Sequence, residues 1–365
     1  MSINWILQPG LNHNKWNKRM NRLHYILLTL VLFVSCSTDR VIDLNPGREI
    51  EFRVIATKGD VLDMGKFKVF RLYAFREDGS LYYEDTYRFN GESFTSDKKH
   101  MWPSSGENIY FQAYHQFGTQ TSGEEDSSSG KLTLQGFSTG DNISTQVDLV
   151  CATASGNKNV SGAVGLAFEH SLSQVEIKAK NTNPNYICEV LGLRIANVVA
   201  NADLDVKNSH WDHSATDSYE VIYDTPRLLG EQSITLMSAA DDNALLIPQT
   251  LTPWIPELDN TNEAGGALFA VKVRITTADT GSKIYPVVDG VDNDWIALPI
   301  EGEWKAGFKY IYTWNIPDVC GYVDPYKASD PVDMLLFPPG IPVRGEQITL
   351  INPAVQYWSN DYIYL

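Results

Sequence analysis

The sequence is poor in the residues that usually mark chemistry or covalent bracing. It has four cysteines and seven histidines in 365 residues. Cys36 aside, Cys151, Cys188 and Cys320 are an odd number, so they cannot all pair internally, and their spacing fits no zinc ribbon or Cys-x-x-Cys motif. Stability must therefore come from apolar cores. No apolar run is long enough to cross about 30 Å of hydrocarbon as a helix. No sustained 3.6-residue periodicity supports a major helix. Basic residues are few: 29 Lys and Arg face 45 Asp and Glu, a formal net charge of -16. Such a surface repels phosphate backbones, which argues against nucleic acid as a partner. Catalytic signatures are missing too. No Gly-x-Ser-x-Gly elbow occurs, and Gly130-Lys131 runs into Leu132 without a phosphate-loop glycine before it. His210-Trp-Asp-His213 reads as solvated loop histidines without a third ligand. Asp289-Gly-Val-Asp292-Asn-Asp294 reads as a hairpin turn, since it lacks the glutamate that closes a calcium loop. Neither metal nor cofactor is expected, and no enzymatic role.

What is present begins at the N-terminus. From Met20 the chain reads as a basic stretch, an apolar run from Tyr25 to Val34, then Ser35-Cys36. These are the parts of a secretory signal, with the true start at Met20 and residues 1–35 removed. Cys36 after Val34-Ser35 resembles the lipobox of bacterial lipoproteins, whose cleaved product carries lipid on that cysteine. The remaining 330 residues hold 25 basic and 45 acidic side chains, a charge of -20. That length suffices for two domains, each with its own core.

Beyond a tether over 36–48, the dominant pattern has period two. Glu49 to Val54 alternates, placing Ile50, Phe52 and Val54 on one face, and so do 66–75, 108–114, 173–180, 268–275 and 308–316. β-branched and aromatic residues fill these runs. Turn signals at Glu77-Asp-Gly79, Asn90-Gly91, Gly281-Ser282 and Asp289-Gly290 punctuate them. The fold class read from this is all-β, two tandem β-sandwiches. Residues 121–130 and 153–161 read as polar connections, which puts the boundary near 162: an N-terminal domain over 49–162 and a C-terminal domain over 163–365. After Gly345 a final alternating segment carries Ile348 and Leu350, Val355 and Tyr357, then Ile363 and Leu365. Pro353 within it suits a sheet edge.

The order of these features resembles the fimbrillin family, the Mfa-like and FimA-like pilins of Gram-negative anaerobes. The resemblance rests on Cys36 with its tether and strand, on Met101-Trp-Pro103 before Asn108–Tyr114, and on Leu166-Ala-Phe-Glu-His170 as the approach to the second domain. It continues through Leu245–Gln249, Leu251–Trp254, Trp304–Tyr310 and the terminal strands. It implies transthyretin-like sandwiches and a surface-exposed outer-membrane lipoprotein that becomes part of a fimbrium. It implies partners of two kinds, other pilin subunits and a host or bacterial surface ligand. It also implies loss of the first strand (Ile50, Phe52, Val54) by proteolysis and its replacement by the C-terminal strand of another subunit. Where the family has a cleavage arginine, this chain has Lys58; Arg48 and Arg53 flank or lie inside the strand. A glycan-binding surface lipoprotein for nutrient uptake is the alternative reading, and it requires exposed Trp or Tyr platforms.

Overall fold

A computed structural model describes residues 47–55, 66–118, 122–237, 243–255, 266–286, 290, 292–316, 321–324 and 352–357. Among them the regular secondary structure is strand, apart from a single 3-10 turn at Ile143–Thr145. Ten strands come first: β1 (Phe52–Ile55), β2 (Val69–Phe75), β3 (Leu81–Phe89), β4 (Phe94–Thr95), β5 (Ile109–Phe117), β6 (Glu124–Asp126), β7 (Thr133–Phe137), β8 (Asp148–Gly156), β9 (Val164–Ala167) and β10 (Glu169–His170). Eight of them form one sheet in the order β10-β8-β5-β2-β3-β4-β1-β9. Its two end strands are consecutive in sequence. The sheet therefore curls until its edges meet at Phe168, which is fully buried, as closure of a sandwich or barrel requires. Ile50, Phe52, Phe70, Phe94, Phe111, Leu166 and Phe168 fill the interior.

The second part contains β11 (Ser173–Lys180), β12 (Tyr186–Asp205), β13 (His210–Leu228), β14 (Ile234–Thr235), β15 (Ala244–Leu246), β16 (Gln249–Leu251), β17 (Leu268–Thr277), β18 (Lys283–Tyr285), β19 (Asp294–Pro299), β20 (Gly302–Trp304), β21 (Phe308–Asn315), β22 (Tyr322–Val323) and β23 (Ala354–Tyr357). One sheet runs β22-β19-β17-β12-β7-β6, with β13 along the other side of β12; the facing sheet runs β14-β11-β21-β23. Between them lies a core that includes Val175, Ile177, Phe269, Val271, Trp304, Tyr312 and Trp314.

β6 and β7 precede β8 in sequence but pair in the second part's sheet, and β9 and β10 follow residue 162 but pair in the first. The chain thus crosses between the sheets on both sides of 162. A third core, with Tyr73, Phe75, Leu134, Leu149, Leu204 and Trp211, joins them. Residues 121–130 contain β6, and 153–156 end β8, so neither stretch is the plain connection that its polar composition implied. Main-chain pairing holds both as strands: β6 on β7, and β8 on β5.

Candidate functional site

Two places in the fold join strand termini to open edges. The first is β1. Its register with β9 is parallel over four residues, from Phe52 opposite Val164 to Ile55 opposite Ala167. On its other side it meets β4 at a single pair, Phe52 with Phe94. Ahead of it, the Ile50 N–H donates to the His100 carbonyl at 2.7 Å and the Val164 N–H to the Glu51 carbonyl at 2.7 Å. The alternation of the sequence is realised as burial: Ile50 and Phe52 are buried and Val54 packs against the same core, while Arg53 and Ile55 are exposed. Phe52 sits edge-on to both Tyr87 and Phe111, with ring centroids 5.0 Å apart in each case. Taking β1 away would therefore leave an apolar slot between β4 and β9 with the β9 main chain unpaired along it.

β9 forms the wall of this slot, whereas its sequence resembles the approach to a second domain. The signal was Gly165, a glycine inside an alternating run. A Cβ at Gly165 would lie 2.3 Å from Ile55 Cδ1, so this glycine lets the outer side chains of β1 lie across β9.

The second place is β23. It pairs antiparallel with β21, from Phe308 opposite Tyr357 to Ile311 opposite Ala354, and ends the sheet order. Val355 is 54% and Tyr357 69% exposed. The Tyr357 ring stacks on Phe308 with centroids 4.8 Å apart, and otherwise main-chain pairing holds the strand. β21 itself is well fixed. It pairs in parallel with β11 over seven residues, and Lys309 Nζ lies 2.9 Å from Glu176 Oε2. Burial alone would raise the Glu176 pKa. The Thr235 hydroxyl and the Lys309 and Lys178 ammonium groups outweigh it and hold the carboxyl below its usual range.

The other residues singled out from sequence separate by position. Arg48 and Arg53 are exposed. Cys36, Lys58, Ile348, Leu350, Ile363 and Leu365 lie outside the described residues, as does Cys320. Cys151 is a free thiol whose pKa burial pushes up to about 12, and Cys188 is buried in the second part's core. His210 Nε2 faces Asp212 Oδ1 at 3.2 Å, and His213 Nε2 faces the Pro248 carbonyl at 3.0 Å. Among the described residues no cluster of three or more His, Cys, Asp or Glu side chains could hold a metal ion.

Between the two parts, Glu125 of β6 reaches the outer face of the first sheet. Its carboxylate accepts from Arg71 Nη2 at 2.8 Å and Nε at 3.1 Å, and from the hydroxyls of Tyr73 and Tyr114. Burial works against the Glu125 charge, but these four bonds lower its pKa below the usual value.

Comparison with known proteins places this architecture. A family model described as fimbrillin-like matches residues 56–325. No curated protein matches the sequence. Among solved structures, a fimbrial protein from Bacteroides vulgatus is similar at 18% identity and a TM-score of 0.51, over 74% of this chain and 95% of that one. A candidate cell adhesion protein from Parabacteroides distasonis aligns at 10% identity and a TM-score of 0.45, over 87% of this chain and 97% of that one. At 18% identity the likeness to the Bacteroides vulgatus protein speaks to fold alone.

Proposed function

From the premise that this chain belongs to the fimbrillin-like family, we propose that it is a fimbrial subunit or fimbria-associated adhesin, and that its subunits join by strand exchange. The observation that carries the mechanism is the pairing of β1, whose apolar face is buried while one of its edges is almost unpaired. Losing β1 opens a slot of alternating pockets. A strand from another subunit fills it with main-chain hydrogen bonds and apolar side chains at every second position. The donor is the C-terminal segment, in which β23 is exposed and held chiefly by its backbone. Ile348, Leu350, Val355, Tyr357, Ile363 and Leu365 supply the alternating side chains, and Lys58, Arg53 or Arg48 the processing position. Export proceeds through the signal over 1–35, with lipid on Cys36 holding the protein at the outer membrane; two or more acyl chains anchor firmly where one is marginal.

The test is assembly itself. Protein cut after Lys58 and freed of its first strand is expected to form polymers on size-exclusion chromatography, and uncut protein to stay monomeric. Deleting 348–365 abolishes the polymers. Cut protein that remains monomeric contradicts a shaft role for this chain.

A further inference from the structure

The outer face of the first sheet is covered by the second part only in places. Where the cover lifts, beside the third core, a cleft of about 470 Å³ opens, within the range of ~300–1,000 Å³ usual for small-ligand sites. Its floor is a cross-strand row. Gln112 stands opposite Thr153 and Tyr110 opposite Ser155, on adjacent strands β5 and β8, and all four line the cleft.

Three features give this floor a chemistry. Tyr110 is 42% exposed, an aromatic face left open above a sheet. Gln112 is only 2% exposed. Its Oε1 accepts the Leu132 N–H at 2.8 Å, while its amide NH2 has no protein partner among the described residues and the side chain lines the cleft. Thr153 and Ser155 add two exposed hydroxyls. A ring platform beside hydroxyls and an amide donor matches a sugar ring, which offers C–H groups on its face and hydroxyls around its edge.

The charges at the rim narrow the class. Arg76 is engaged by Glu107 and lies over the Tyr82 ring, 4.5 Å from its centroid. Glu77 accepts the Asn108 N–H at 3.0 Å. Lys207, on the turn between β12 and β13, is exposed and forms no ion pair among the described residues. In a chain of net charge -16, this is a cation left over at the edge of a polar cleft. At the rim the β2–β3 turn at Gly79 packs directly on the β6–β7 turn at Gly130: a Cβ on Gly130 would lie 3.0 Å from Gly79 Cα and its carbonyl oxygen.

We propose that this cleft binds a carboxylated saccharide, with the sugar ring on Tyr110, its hydroxyls toward Gln112, Thr153 and Ser155, and its carboxylate at Lys207. The assignment is separate from strand exchange, since a monomer that never polymerises would still carry the site.

The experiment uses the full exported chain and a matched pair of probes, a glucuronic-acid-terminated disaccharide and its neutral glucose counterpart, followed by saturation-transfer NMR and titration. The acidic sugar is expected to bind more tightly than the neutral one, and the difference to shrink at high salt. Lys207→Gln should erase that difference and leave the neutral sugar unaffected. Tyr110→Ala should weaken both by roughly tenfold. Both positions are exposed, so neither change threatens the fold; unaltered melting temperatures verify this. No transfer to either sugar, an equal affinity for the two, or binding that survives both substitutions undiminished would overturn the proposal.

Discussion

His115 on β5 shows how far a single side chain is governed by its surroundings. It lies edge-on to Phe67 and Phe117, with ring centroids 5.2 and 4.4 Å away. Burial among these rings lowers its pKa to about 4, against an opposing pull from Asp148. The native state thus keeps the imidazole neutral where an unfolded chain, with a histidine pKa of about 6.5, takes up a proton. Stability from this residue is complete above the unfolded value and is lost as pH falls from 6.5 toward 4. Melting curves across that interval are expected to fall more steeply for the natural chain than for His115→Gln; equal slopes would show that His115 does not titrate between the two states. None of this was legible in the sequence, where His115 was one histidine among several. What buries it is the closure of the first sheet, and the packing of Phe67 and Phe168 that goes with it.

At the scale of the element, legibility followed alternation. The run expected over 173–180 is β11 to the residue, and those at 268–275 and 308–316 match β17 and β21 apart from their ends. Turns predicted from glycine hold too, with Gly79, Gly91, Gly281 and Gly290 all at positive φ. The long hairpin of β12 and β13 escaped notice for two opposite reasons. β12 is buried on both faces along much of its length, so its apolar residues run together without a period of two. β13 is exposed on nearly all of its length, and its place is set by backbone pairing to β12. β1 lies between these extremes, and its faces can be told apart by mutation. Phe52→Ala removes a ring packed on two others and should cost about 3–5 kcal/mol in urea denaturation. Arg53→Ala, on the exposed face of the same strand, should stay within about 0.5 kcal/mol. Similar losses for both would mean that β1 does not insert its alternate side chains into the first core.

Across the whole molecule, separate apolar clusters fill the first sheet's interior and the space between the two sheets of the second part. A third cluster and the Glu125 network join them. The described residues from Glu49 onward pack as one unit. The polar composition of 121–130 and 153–161 disguised their strand pairing, and with it the interleaving of the sheets. Limited proteolysis reads out the consequence. Exposed polar segments that carry few backbone bonds are cut first, so early cleavage is expected at 157–161, beyond the end of β8, and not inside β11 or β17. First cuts within those central strands would contradict this packing.

The most direct test of strand exchange asks whether the C-terminal segment fits the slot that β1 leaves. Ile50, Phe52 and Val54 together bury side chains worth about 5–8 kcal/mol gross, an upper bound because the denatured chain hides some surface. Cut protein lacking β1 and its own residues 346–365 would be mixed with a synthetic peptide of that sequence and its melting temperature followed. Strand exchange predicts saturable binding and a melting temperature that rises with peptide concentration, as any ligand specific to the folded state requires. It also predicts loss of that rise when Val355 and Tyr357 in the peptide are replaced by Asp. A melting temperature that stays flat at every peptide concentration would contradict it.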